Sequence, residues 1–190
     1  MMQSRALMPC VKASLLGALL VMAAQSFACG LEPTVKGGFS VSHPGALDVA
    51  VAVAKARRAG TLPPADGNAD SNSVLLRKMI ADLTRLQSRL STNPDDASDD
   101  SSTASFSLVL VGPGLWSHYH ATPGGVVGEY HTDGPVAGQV VVLTHYAVLR
   151  MLLRGDLSVE QATDLGLIAF AGSDTVPVRK AFENGFPSRT

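Results

Sequence analysis

The stretch WSHYHATPGGVVGEYH holds three of the five histidines in the chain, with Pro123, Gly124 and Gly125 midway between them. Imidazole and carboxylate groups are the usual nitrogen and oxygen ligands of zinc and copper in proteins. These residue types therefore indicate metal binding on a hairpin. The competing interpretation is a solvent-facing strip of polar side chains on one face of a sheet.

The length of the hairpin turn decides between convergence and dispersal of these side chains. A two-residue turn at Gly124 and Gly125 pairs Pro123 with Val126 and continues outward along both strands. Residues two apart on a strand share a face. This register predicts a zinc or copper site whose ligands lie on one face: His118, His120, Glu129 and His131. A three-residue turn would shift the pairing by one residue and scatter them.

The sequence carries none of the motifs that commonly mark a catalytic centre. It has no G-x-S-x-G elbow, no H-E-x-x-H pair, no Walker loop and no G-x-G-x-x-G fingerprint. We therefore do not expect an enzyme; a metal-dependent hydrolase built on the hairpin, with Glu129 as its general base, is the alternative.

The first residues resemble a secretory signal. Arg5 and Lys12 precede the apolar run ASLLGALLVMAA, and small residues follow at Ser26 and Ala28. Cleavage near Ala28 predicts a periplasmic or secreted protein whose first residue is Cys29. Lipid attached to Cys29 is the alternative to soluble export, and membrane association is expected only in that case.

The remaining chain of about 160 residues fits one domain of ordinary size. Loss of the two signal-peptide cations takes the formal net charge from -1 to -3, which gives no reason to expect nucleic acid as a partner. Only Cys29 would survive cleavage, so no intramolecular disulfide is expected. Stability must come from a packed core.

Two helices are predicted in the first half of the chain. One covers about 44–59, with Ser42 and Pro44 at its start and Gly60 as its stop. The other covers about 73–91, where apolar residues recur at helical spacing and the opposite face is charged. We assign 29–94 to this helical part of the domain and 95–103 to a flexible acidic linker.

From Ser105 the period changes to that of strands. SFSLVLV alternates, residues 115–121 and 126–132 flank the hairpin turn, and GQVVVLT suits a strand buried on both faces. The sequence next predicts a helix capped by Thr144 and a second helix that begins with a capping box at Ser158 and Gln161. The last predicted elements are a strand at LIAFAG and a helix beginning at Ser173 or Asp174. His43 and His145 are interpreted as local capping residues. The predicted class is α+β, with a five-stranded, mainly antiparallel sheet covered by helices.

The segment from about 104 to 184 resembles the sterol carrier protein 2 family. The resemblance rests on VVVLTHYAVLRMLLRGDLSVEQATDLGLIAFAGS, in which a strand leads to a helix ending at a GDLS turn and an EQA helix leads to a strand ending in glycine. The residues at the matching positions are Gly155, Asp156, Leu157, Ser158, Ala162, Gly166 and Gly172. The part of the chain before residue 104 has no counterpart in the resemblance.

The resemblance implies a module that holds an apolar ligand, a lipid or acyl chain, between the sheet and its helices. The candidate wall residues are Phe106, Leu108, Leu149, Leu152, Leu153 and Phe170. The alternative for these residues is a solid core. The sequence therefore supports three hypotheses: an exported lipid-binding protein, a periplasmic metal-binding protein, and a structural or interaction module with neither ligand.

Overall fold

A computed structural model describes residues 43–65, 72–91 and 105–187. The signal segment, Cys29, Ser42 and the acidic linker at 95–103 lie outside these ranges. Within them the chain forms ten elements: α1 (Ala46–Arg58), α2 (Asn72–Ser91), β1 (Phe106–Val111), β2 (Leu115–Thr122), β3 (Gly125–Thr132), β4 (Val140–His145), α3 (Tyr146–Arg154), α4 (Val159–Asp164), β5 (Ile168–Ala171) and α5 (Val176–Gly185). The α+β class and the two helices before the sheet are confirmed.

The five strands form one mixed sheet in the order β3-β2-β1-β4-β5. β1 pairs with β4 in parallel, and the other three pairings are antiparallel. β4 is buried along its whole length except at His145, as its continuous apolar run predicts. β1 is also buried along its whole length, although its sequence predicted alternation. The parallel pair makes the sheet mixed where a mainly antiparallel one was expected.

Helices cover both faces of the sheet. On one face, the Tyr119 hydroxyl donates to the Leu83 carbonyl of α2 at 3.3 Å, and the Phe106 ring meets Phe182 of α5 with centroids 5.5 Å apart. On the other face, Arg57 of α1 approaches His145 at the end of β4. The β2–β3 hairpin carries the predicted metal ligands on this second face, where His120 and Glu129 are exposed.

Most of the helix-ending glycines and capping residues predicted for the second half of the chain are present in the structure. Gly155 and Gly166 adopt φ values of 75° and 68°, the left-handed conformation that glycine allows at a helix end. Ser158 and Gln161 form a complete capping box at the start of α4. Ala162 is fully buried, which lets α4 pack closely.

Two predicted caps are wrong. The Thr144 hydroxyl donates to the Leu167 carbonyl within the core, so the His145 ring caps α3 instead, with Nδ1 accepting from the Ala147 N–H at 3.0 Å. α5 begins after Thr175 rather than at Ser173 or Asp174, and no side chain caps it. A proline in its first turn fixes the starting conformation without needing a donor there.

Within residues 43–65, 72–91 and 105–187, no helix is both long enough and apolar enough to cross a membrane.

Candidate functional site

The hairpin has a two-residue turn, but its register differs from the predicted one. The turn is made by Pro123 and Gly124, so Thr122 pairs with Gly125 and His118 pairs with Glu129. The predicted pairing of Pro123 with Val126, and with it the pairing of His118 with His131, is wrong. Proline has no backbone N–H to donate to a strand ladder and its fixed φ suits the first position of a turn, which explains the difference.

Helix α2 holds the hairpin turn in place. The Ser91 hydroxyl, at the end of α2, accepts from the Val126 N–H at 3.0 Å and lies 3.3 Å from the Val126 carbonyl. Gly125 has a φ of 117°, and a Cβ there would lie only 3.0 Å from the Ser91 side chain. Close approach of helix and turn therefore requires glycine at this position.

The change in register leaves the faces of the hairpin unchanged. Moving the turn by one residue shifts the pairing by two, and a shift of two preserves the alternation of side chains. One atom each of His118, His120 and Glu129 therefore converges, with the three lying within 4.8 Å of one another. The opposite face of the hairpin carries Tyr119, which is buried against α2 and whose pKa burial raises well above its ordinary value.

The ring of His118 is oriented by its neighbours. Its Nε2 lies 2.6 Å from the Gly134 carbonyl and 3.2 Å from the Thr132 hydroxyl. A carbonyl can only accept a hydrogen bond, so Nε2 carries a proton, and Nδ1 is the nitrogen left to bind a metal ion. A metal-binding histidine commonly donates its second N–H to a backbone carbonyl in this way. His118 is half-buried, and His120 and Glu129 are exposed.

His131 does not join the other three side chains. It is the extra residue of a β-bulge, because Ser117 pairs with Tyr130 and Trp116 pairs with Thr132. Its φ of 65° is left-handed, unlike that of any other described residue except glycines. Of the four predicted ligands, the structure groups His118, His120 and Glu129 within 4.8 Å, whereas His131 lies outside that group but lines the same surface pocket as His118 and Glu129.

His145 is separate from this group and serves the fold. Burial, and secondarily the Arg57 guanidinium, lowers the pKa of His145 from 6.5 to about 4. Its neutral ring is therefore the form that caps α3.

Four of the predicted wall residues lie deep in the core: Phe106, Leu108, Leu149 and Leu152 are at most 2% exposed. The Phe106 ring stacks on Tyr119 with centroids 4.7 Å apart, and Phe182 lies between Phe106 and Phe170. Arg179 covers the Phe170 ring at 5.2 Å. In this arrangement the aromatic side chains contact one another where a ligand was expected.

Leu153 lies outside this core, in a groove between α2 and α3 with a volume of about 1010 Å³. The groove is formed by one face of each helix, and its lining includes five cationic side chains: Lys78, Arg85, Arg89, Arg150 and Arg154. The sequence shows the charged face of α2 and the two arginines of α3. It does not show that these faces meet, and the groove was not predicted.

Asp82 joins the two helices at the bottom of this groove. It is 8% exposed, and its two oxygens accept from Arg85 at 2.9 Å and from the Tyr146 hydroxyl of α3 at 2.8 Å. A buried carboxylate with both oxygens bonded is stable where an unpaired one would not be. These hydrogen bonds hold the side chains at the bottom of the groove in place.

Comparison with known proteins gives little further information. No family model and no curated protein match the chain. One matching solved structure is a double mutant of the sec-alkyl sulfatase PisA1, with 18% sequence identity and a TM-score of 0.36. The match covers 54% of this chain and 17% of that one. At this TM-score the similarity assigns neither a fold family nor an activity.

Proposed function

We propose that this protein binds a transition metal ion through His118, His120 and Glu129. The observation that supports the proposal is the convergence of three ligand atoms within 4.8 Å on the uncovered face of the hairpin. Two imidazoles and a carboxylate favour zinc or copper over calcium or magnesium, which prefer oxygen ligands. Three protein ligands leave a fourth position for water or for a group from a partner.

Binding requires only small side-chain movements. Zinc bonds of about 2.0–2.1 Å in tetrahedral geometry place ligand atoms about 3.3 Å apart, so no pair of the three atoms must close by more than roughly 1.5 Å. His120 and Glu129 are exposed and can make this adjustment, whereas His118 is oriented by Gly134. The site therefore combines one oriented ligand, His118, with two ligands whose side chains can move, His120 and Glu129.

Titration of Zn²⁺ and Cu²⁺ into wild type, His120→Asn and His131→Asn tests the proposal. His131→Asn is the comparison variant: His131 lines the same pocket as His118 and Glu129 but lies outside the 4.8 Å group, so its loss should weaken binding less than the loss of His120, and asparagine tolerates its left-handed φ. We expect His120→Asn to weaken binding at least about tenfold, the lower end of the loss produced by residues that only support a metal ligand. Equal affinity in wild type and His120→Asn would contradict the proposal.

We also propose, as a second candidate, that the protein binds an apolar ligand such as a lipid or acyl chain. The resemblance to the sterol carrier protein 2 family motivates this candidate, and the position of Leu153 in the α2–α3 groove supports it. The ligand is then expected in the groove, since four of the other wall residues belong to the core cluster and Phe170 packs against that cluster. This proposal includes export of the protein, directed by the signal segment at 1–28. Export is equally compatible with the proposed metal-binding function.

Lipid extraction and native mass spectrometry of the purified protein test the apolar ligand. Leu153→Asn should reduce uptake of a fluorescent acyl probe, whereas Leu47→Asn, at a position that is 63% exposed on α1, should not. A protein that carries no extractable lipid and takes up no acyl probe would remove this candidate.

A further inference from the structure

We propose that Arg57 and His145 bind an oxyanion, a carboxylate or a phosphate group, at the point where the parallel strands β1 and β4 end. This site shares no residue with the metal ligands or with the α2–α3 groove, so it is independent of both functions proposed above. Three features support it: hydrogen-bond donors of both side chains that lack an acceptor, the place of the pair in the sheet, and the local charge.

The His145 ring uses only one of its two nitrogens for the fold. Nδ1 accepts from the Ala147 N–H at 3.0 Å, so Nδ1 carries no proton. A neutral imidazole then carries its proton on Nε2, which is a donor. Nη2 of Arg57 lies 3.5 Å from Nε2, and an arginine nitrogen can only donate. Two donors therefore face each other, and no acceptor for them is found within the described ranges.

The guanidinium group of Arg57 lacks an acceptor on its other donor as well. Nε is covered and has no hydrogen-bond partner, and no ion pair among the described residues includes Arg57. Nε and Nη2 are the two donors of one edge of the guanidinium group, the edge that binds two oxygens of a carboxylate or phosphate group side by side. Partial removal of an unpaired charge from water is unfavourable, and a bound anion would compensate it.

Both side chains border solvent, because Arg57 and His145 are each only partly buried. Since Nε is covered, the guanidinium group must turn outward before this edge binds a ligand. Arginine permits this movement, because its apolar stem can stay packed while its charged head moves to water. One oxygen of the anion then accepts from Nη2 and from His145 Nε2, and the second oxygen accepts from Nε.

The position of the pair in the sheet is one at which ligands commonly bind. Val111 and His145 are the last residues of β1 and β4, and they are partners in the parallel pairing. From here the chain continues in opposite directions across the sheet, from β1 to β2 on one side and from β4 to β5 on the other. In open α/β sheets, ligands bind outside the carboxyl ends of strands where the connections diverge in this way.

The local charge and space favour a negative ligand. The last turn of α1 carries three cations, Lys55, Arg57 and Arg58. The nine-residue helix α3 begins directly after His145, and the N-terminus of a helix carries partial positive charge. Gly112 has a φ of 108°, and a Cβ there would lie 3.3 Å from His145 Nε2. Glycine therefore keeps the space beside this donor open.

NMR titration of the ¹⁵N-labelled protein with sodium phosphate and with sodium acetate tests the site, with sodium chloride keeping the ionic strength constant. We expect saturable shifts of the Arg57 Nε–H and Ala147 amide signals with phosphate or acetate. Chloride is the matched probe, because a single acceptor atom cannot bind the two-donor edge side by side. Chloride alone should therefore produce no saturable shift of these signals.

The variants Arg57→Gln, Arg57→Lys and Arg58→Gln separate a specific site from general charge. Arg57→Gln removes the charged donors and should weaken binding at least about tenfold, the lower end of the loss expected for hydrogen bonds to a charged group. Arg57→Lys keeps the charge but lacks the two-donor edge, so its affinity should lie between those of wild type and Arg57→Gln. Arg58→Gln removes the neighbouring exposed cation and is the matched control, with unchanged affinity.

Thermal unfolding establishes which variants are folded, and the titration of wild type decides the proposal even if a variant is not. The proposal is overturned if neither phosphate nor acetate gives a saturable shift in wild type, or if chloride alone saturates the same signals. It is also overturned if folded Arg58→Gln loses as much affinity as folded Arg57→Gln. Saturation by acetate alone assigns a carboxylate ligand, and saturation by phosphate alone assigns a phosphate ligand.

Discussion

At the scale of single residues, His145 couples proton uptake to folding. Its ring caps α3 through Nδ1, and burial together with Arg57 lowers its pKa from 6.5 to about 4. Between these values the unfolded chain binds a proton that the folded chain does not. The free energy of unfolding therefore falls as the pH falls from 6.5 towards about 4, by on the order of 3 kcal/mol.

The variant His145→Asn should lose most of this pH dependence. Asparagine can still accept the hydrogen bond of the Ala147 N–H as a helix cap, but it does not titrate. Urea unfolding of both proteins at pH 6.5 and at about pH 4 measures the difference. If the two proteins lose the same free energy of unfolding between these pH values, His145 is not the titrating group.

At the scale of elements, the helices and strands lie close to where periodicity and capping residues place them. Gly155, Ser158 and Gly166 affect only the helix ends at which they lie, so their roles can be predicted from the sequence alone. The hairpin register depends on Pro123, whose missing N–H and fixed φ could have indicated its place in the turn. The contact with Ser91, 35 residues away from Val126 in the chain, could not be obtained from the sequence. The α2–α3 groove was missed for a related reason: the bond between Asp82 and Tyr146 spans 64 residues of sequence.

The capping box of α4 provides a test at this scale. Ser158→Ala removes the acceptor of the Gln161 N–H and should lower the free energy of unfolding by about 1 kcal/mol. Ser173→Ala is the matched control, because Ser173 is exposed and lies before α5 without capping it. Chemical denaturation of the two variants should therefore differ, and an equal loss in both would contradict the assigned cap.

At the scale of the whole molecule, Phe182 connects the closing helix to the sheet. Its ring lies within 5.5–6.3 Å of the Phe106, Phe170 and Phe186 rings, measured between centroids. The alternation of apolar residues predicted that Phe106 would face inward. It could not predict whether a ligand or another side chain would meet it there, because that depends on how α5 packs.

Truncation of Phe182 tests whether this aromatic cluster is a packed core. Phe182→Ala should lower the free energy of unfolding by about 3–5 kcal/mol, because it removes buried contacts and leaves a cavity. Val176→Ala, at a position on the same helix that is 71% exposed, should have almost no effect. A loss below about 1 kcal/mol for Phe182→Ala would indicate loose packing, as expected of a ligand cavity.

The strand order also has a consequence for how the chain folds. The two strands of the β2–β3 hairpin are connected by a two-residue turn. The parallel pairing of β1 with β4 brings Phe106 next to Val140, and the loop that it closes contains the whole hairpin. Local contacts form faster than those that close long loops. We expect the hairpin to form early and the β1–β4 pair to limit the folding rate. His118, His120 and Glu129 would then come together before the core is complete, and a metal ion present at that stage would accelerate folding as well as stabilise the folded protein.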